Sequence, residues 1–243
     1  MTNTYPGGAV GADRTPAGDL APSTRIYVLL DRSGSMASIA GDVVGGFNTF
    51  AAVQKADGDD ARLTLVQFDT VDPQEVVVDD APIGLVPELT LSTFVPRGGT
   101  PLLDATGRIV ARAQEHAVAR KAAGLPAEHV LIVTITDGLE NSSTELNRRQ
   151  VLELIKAREA DGWTFAFLSA ALGAYDEAQS IGYDPRSVQA MPASPAGMAT
   201  AFASVSASVS RRRDALRSGG AYEAGDLFEG DKPAEALLPD DPA

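Results

Sequence analysis

The sequence contains no cysteine. Disulfides, thiolate nucleophiles and zinc–sulfur sites are therefore excluded. Histidine is nearly absent: His116 and His129 are the only two. They are too few for a histidine-rich metal site and poor material for Ser-His-Asp catalysis. No apolar run approaches the roughly 18 residues that a membrane helix needs. The start of the chain, Met1 to Gly8, lacks the basic region followed by an apolar one that marks a secretory signal. Positive charge is also short, with 20 Lys and Arg against 33 Asp and Glu, a formal net charge of −13. Such a chain repels phosphate, which argues against general nucleic-acid binding. The expectation is a soluble cytoplasmic protein with neither a nucleic-acid nor a membrane partner.

Against these absences, 243 residues with 44% apolar content can build a proper core, as one large domain or two small ones. Residues 1–24 are rich in Gly, Ala, Thr and Pro and read as a flexible leader. Ile26 to Leu30 is a continuous apolar run, the signature of a strand covered on both faces. It ends in Asp31 and runs into Arg32-Ser33-Gly34-Ser35. Ile39, Val43, Phe47, Phe50 and Val53 then recur at helical spacing to about Ala56, with Gly41, Gly45 and Gly46 allowing close approach to the sheet. Arg62–Asp69 and Glu75–Asp79 read as two strands whose short link favours an antiparallel hairpin.

Further on, Arg97-Gly98-Gly99-Thr100-Pro101 opens a helix to about Ala122, with Thr100 suited to the N-cap and Pro101 to the first turn. His129–Asp137 is a second buried strand that ends in an aspartate. Ser142-x-x-Glu145 forms a capping box for a helix to about Asp161. A strand at Trp163–Ser169, a short helix at Tyr175–Ile181, a brief strand near Ser187–Ala190 and a helix from Pro195 to about Arg213 complete the pattern. Strand and helix alternate. The predicted fold is therefore α/β, a doubly wound and mostly parallel central sheet with one antiparallel edge strand and helices on both faces, over residues 25–213. Residues 214–243 carry six acidic residues from Asp226 to Asp241 and read as a disordered acidic tail.

In a parallel sheet Asp31, Ser33 and Ser35 share the carboxyl edge with Thr100 and Asp137. These five residues offer only oxygen: three hydroxyls and two carboxylates. Such a set suits a hard cation, and its low carboxylate count favours Mg²⁺ or Mn²⁺ over Ca²⁺. Taken singly, each has a plainer reading. Ser33 or Ser35 would serve as a helix cap, Thr100 as an N-cap, and the aspartates as turn residues.

Taken together, Asp31-Arg-Ser33-Gly-Ser35, Thr100 in Gly-Gly-Thr-Pro and Asp137 in Thr-Asp-Gly resemble the metal-ion-dependent adhesion site of von Willebrand factor A domains. The resemblance covers residues 25–213 and is nearest to the intracellular, bacterial-type members. It implies Ser33, Ser35 and, in the ligand-bound state, Thr100 as direct metal ligands, with Asp31 and Asp137 acting through water. It also implies a protein-binding adaptor that captures an Asp or Glu of a partner, with an AAA+ ATPase complex as one partner class. Arg32 would sit beside that site. The alternative is a Mg²⁺-dependent phosphoryl-transfer or hydrolytic enzyme using Asp31. A phosphatase of that kind needs a second acid two residues on, where this chain has Ser33.

Overall fold

The computed structural model describes residues 23–171, 173–192, 194–220 and 227–228. The leader before residue 23, and the acidic tail apart from residues 214–220 and 227–228, lie outside the described residues. The element order is β1 (Thr24–Asp31), α1 (Ala40–Ala56), β2 (Ala61–Phe68), β3 (Glu75–Pro82), α2 (Leu102–Ala122), β4 (His129–Thr136), α3 (Arg148–Ala160), β5 (Thr164–Ser169), α4 (Ala174–Ser180), β6 (Val188–Ala190) and α5 (Pro195–Arg217). A 3₁₀ turn at Gly34–Ile39 leads into α1.

The six strands form one sheet in the order β3-β2-β1-β4-β5-β6. Only β3, joined to β2, runs antiparallel. The strands alternate between two cores because successive side chains point to opposite faces. Ile26, Val28 and Leu30 pack with Val43, Phe47 and Phe50 of α1 and Met198, Phe202 and Val205 of α5. Tyr27 and Leu29 face the other way, toward Leu102, Ile109 and Val110 of α2, Val151 and Ile155 of α3 and Ala178 of α4. Burying each large side chain of this kind is worth about 1.5–3 kcal/mol. One helical stretch, Gly34–Ala56, is long and apolar enough by composition to cross a membrane, at a mean hydropathy of 1.2. Here its apolar side chains Val43, Phe47 and Phe50 are spent on the core.

Several local expectations shift. Gly46 does allow close approach, but to α5 rather than the sheet: a Cβ there would lie 2.1 Å from the Phe202 ring. Gly41 and Gly45 meet nothing within 4 Å. The helix expected after Ser142-x-x-Glu145 starts later, at Arg148, and its capping box is Asn147 with Gln150. Folded structure is also described beyond residue 213. Helix α5 continues to Arg217, and Leu227 and Phe228, in the stretch read as acidic tail, are fully buried in the core beneath α1 and α5.

Candidate metal centre

Asp31 ends β1 and Asp137 directly follows β4, its neighbour in the sheet. That places both carboxylates on the same edge, because parallel strands bring their carboxyl ends together. Asp31 is fully buried and both its oxygens are engaged. Its Oδ1 accepts the Ser33 backbone N–H at 2.7 Å, and its Oδ2 accepts the Thr136 hydroxyl at 2.6 Å. The first bond folds the Asp-Arg-Ser turn back on itself, as an Asx turn does. Ser33 Oγ lies 3.1 Å from Ser35 Oγ, and Ser35 Oγ donates to Asp137 Oδ1 at 2.7 Å.

Thr100 arrives from the loop before α2. A Cβ on Gly138 would be 3.3 Å from Thr100 Oγ1 and 4.0 Å from Ser35 Oγ, so both hydroxyls flank the Asp137-Gly138 turn. All five predicted residues therefore meet at one edge.

The loops that carry them are clasped by backbone bonds. Arg32 N–H donates to Phe68 O, Arg97 N–H to Arg32 O, and Gly34 N–H to Gly98 O. Gly98 sits at φ +67°, and a Cβ there would collide with Thr70 Oγ1 at 2.4 Å, so glycine is required. Thr70 Oγ1 also accepts the Gly99 N–H at 3.1 Å. Thr100 N–H donates to Asn141 Oδ1 at 2.9 Å, and Asn141 N–H donates to Thr100 O at 3.2 Å.

Thr100 is not the N-cap of α2. The helix begins at Leu102 with Pro101 in the cap position and no side-chain cap on it. The first-turn donors are satisfied from a distant loop: Leu103 N–H bonds Glu140 Oε2 and Ser143 Oγ, and Asp104 N–H bonds Ser143 Oγ. In return Asp104 accepts the N–H groups of Thr144, Glu145 and Leu146. Ser33 likewise makes no capping bond. The plainer reading of these hydroxyls as caps therefore fails for Ser33 and Thr100.

Two further residues depart from the sequence expectation. Arg32 does not stand beside the site as a free cation. It is buried, its Nε bonds Asp69 Oδ2 at 2.8 Å, and it pairs with Glu75 at 2.6 Å. Thr136 was missed, yet it fixes Asp31 and accepts the Gly138 N–H at 3.0 Å. The only signal for it was its place just before Asp137.

The electrostatics separate this site from an ordinary polar cluster. Burial pushes the Asp31 carboxyl up from its usual 3.8 to about 6, against the opposing bonds from Thr136 and Ser33. Burial also raises Asp137, despite the Ser35 hydroxyl. Among the described residues no ion pair reaches either carboxylate. Two desolvated acids without a cation are costly, and a divalent ion would relieve them. Among the described residues no three of His, Cys, Asp or Glu gather to hold a metal, so a cation here must draw on the hydroxyls as well. Three hydroxyls, two carboxylates and retained waters match the needs of Mg²⁺ or Mn²⁺.

No protein-family model matches the chain, and no curated protein sequence matches it. Solved structures do. The pilus adhesin SpaC of Lactobacillus rhamnosus GG, in its open conformation, aligns at a TM-score of 0.60 and 14% identity over 80% of this chain. The match takes in 31% of the adhesin, so the chain spans under a third of that protein's length. The VWA domain of SpRpn10 aligns at 0.50 and 14% identity, over 75% of this chain and 94% of that domain. Proximal thread matrix protein 1 of the mussel byssus, described with a zinc-occupied MIDAS motif, aligns at 0.51 and 15% identity over 75% of this chain and 47% of that one. At such identities the likeness shows the fold: this chain is built as a von Willebrand factor A domain is.

Proposed function

We propose that this protein is a metal-dependent protein-binding module. In this reading Ser33, Ser35 and Thr100 hold Mg²⁺, or Mn²⁺ in its place, and Asp31 and Asp137 orient the hydroxyls and bound waters. The ion, when bound, supplies an electrophilic position that a partner's Asp or Glu can fill. The observation that carries the reading is the meeting of three hydroxyls with one buried and one half-buried carboxylate, neither paired with a cation among the described residues, at the carboxyl edge of the sheet. Interaction and adhesion proteins among the structural neighbours support it, and the zinc-occupied motif of the mussel protein supports a divalent ion.

The chain's own residues make the socket. Thr136 and the Ser33 N–H aim Asp31. The loop bonds among Arg32, Gly34, Arg97 and Gly98 hold the serines against the Gly-Gly-Thr segment. Neutral hydroxyls leave the cation undercompensated, which favours a carboxylate from outside. The enzyme alternative is less favoured: a nucleophilic aspartate must reach substrate, whereas Asp31 is fully buried with both oxygens occupied. A cytoplasmic adaptor role, including one alongside an AAA+ ATPase complex, belongs to the same proposal.

Affinity capture from the native cell tests it. A partner retained in Mg²⁺ should elute with chelator, and Ser33→Ala/Ser35→Ala should retain none while keeping a native circular dichroism spectrum. Equal capture in chelator would sink the idea, and so would Mg²⁺-dependent phosphoester turnover abolished by Asp31→Asn.

A further inference from the structure

The rim of the candidate socket has its own chemistry. Of the eight exposed large hydrophobic side chains among the described residues, three stand in the loops that build the site: Val71 at 69% exposure, Val95 at 52% and Leu139 at 43%. They come from different segments. Val71 follows Thr70, whose hydroxyl receives the Gly99 N–H. Val95 lies two residues before Arg97, which is tied through its N–H to Arg32 O. Leu139 follows Gly138, which abuts the Thr100 hydroxyl. Single exposed aliphatics are ordinary on a protein surface, but three carried by the loops that build one polar socket suit an apolar rim for a partner.

Charge at this rim is accounted for. Arg32, in the motif loop itself, is buried against Asp69 and Glu75. Arg97 is also committed, with its Nε on Asp69 Oδ2 at 2.9 Å and a second contact to Glu75 at 3.3 Å. No free cation is left in these loops to receive a second or third acid. A strongly acidic segment would find no cation to pair with there and would face the chain's own negative excess, and like charges repel.

From this charge pattern we infer that the preferred partner segment carries a single aspartate or glutamate flanked on both sides by aliphatic residues. The inference rests on the metal-socket reading. The acid goes to the metal, and the flanking side chains cover Val71, Val95 and Leu139. Affinity comes from the apolar flanks and orientation from the acid, the usual division between a packed anchor and a polar contact.

A displayed library of peptides with a fixed central aspartate and random flanks tests this on the immobilised full chain. Peptides are bound in Mg²⁺ and eluted with chelator. The expected result is enrichment of Leu, Ile, Val or Phe on both sides of the aspartate. Val71→Ser/Leu139→Ser should then weaken the enriched peptides about tenfold, with Mg²⁺ affinity by calorimetry unchanged. Flanks enriched in charged residues would overturn the inference, and so would unchanged binding to the double variant. Loss of Mg²⁺ affinity in that variant would make the two side chains structural and also overturn it. If no peptide elutes with chelator while Mg²⁺ still binds, the socket reading itself fails. The two failures are thus told apart.

Discussion

Asp31 and Asp69 sit at the ends of neighbouring parallel strands, and both are fully buried, at 0% exposure. Their environments are opposite. Asp69 suffers the same burial, yet the N–H groups of Asp72 and Val71 and the guanidiniums of Arg97 and Arg32 outweigh it, and its pKa is lowered. Asp31 has hydroxyl and amide donors but no cation, and its pKa rises to about 6. One carboxylate is a finished structural group whose partners are built into the chain. The other has no cation built into the chain beside it, and the metal proposal rests on that difference.

The contrast can be broken from its structural side first. Asp69→Ala should cost about 3–5 kcal/mol in urea unfolding, because it removes the buried partner of the Arg32 guanidinium, leaves only Glu75 to pair with it, and strips the acceptor of the Val71 and Asp72 N–H groups. Asp31→Asn should do the reverse in the metal-free protein and stabilise it near neutral pH. A large loss from Asp31→Asn without metal would erase the distinction.

Acidity separates the pair next. The folded pKa of Asp31 is raised, so its contribution to stability is present below its ordinary 3.8 and is lost as pH climbs to about 6. In metal-free protein that loss amounts to about 3 kcal/mol at most. The folded pKa of Asp69 is lowered, so its contribution holds above the ordinary value and disappears only as pH falls below 3.8. Urea melts across this range should show the upper step vanish in Asp31→Asn and the lower one persist.

Mg²⁺ gives a smaller effect. At about 100 times its dissociation constant it should add about 2.7 kcal/mol to the wild type. Ser33→Ala/Ser35→Ala should gain almost none, and Asp69 should be indifferent to the ion. The smallest expected change is in Thr100→Val. A lost N-cap would cost about 1 kcal/mol. Because Thr100 does not cap α2, the metal-free variant should lose under about 0.5 kcal/mol in thermal melts, while Mg²⁺ affinity falls.

What could be read from the sequence followed what is local. The apolar runs of β1 and β4, each leading to an aspartate, were visible as strands, and the hairpin of β2 and β3 followed from its short link. That the five candidate residues share one edge was visible because the motifs lie at element boundaries. What escaped was decided at a distance. The cap of α2 comes from Glu140 and Ser143, nearly forty residues on, so a local rule assigned it to Thr100. Arg32 turns inward because Asp69 and Glu75, on other segments, await it. Ser142-x-x-Glu145 satisfied the capping-box pattern, but the segment is tied to Asp104 instead, and Asn147 with Gln150 takes the role.

Leu227 and Phe228 change how the chain can be cut. A shortening at residue 214, meant to remove acidity, would also withdraw two side chains from the core and the Leu227 carbonyl that Arg211 contacts. Loss of binding in such a truncation would then report a weakened domain rather than a missing charge. A cut after Phe228 keeps the hydrophobic plug and still removes five of the acidic residues beyond it. A separate peptide bearing Asp226-Leu227-Phe228-Glu229 should restore melting temperature to the shorter form in trans. That dipeptide belongs to the core although it lies ten residues past the end of α5.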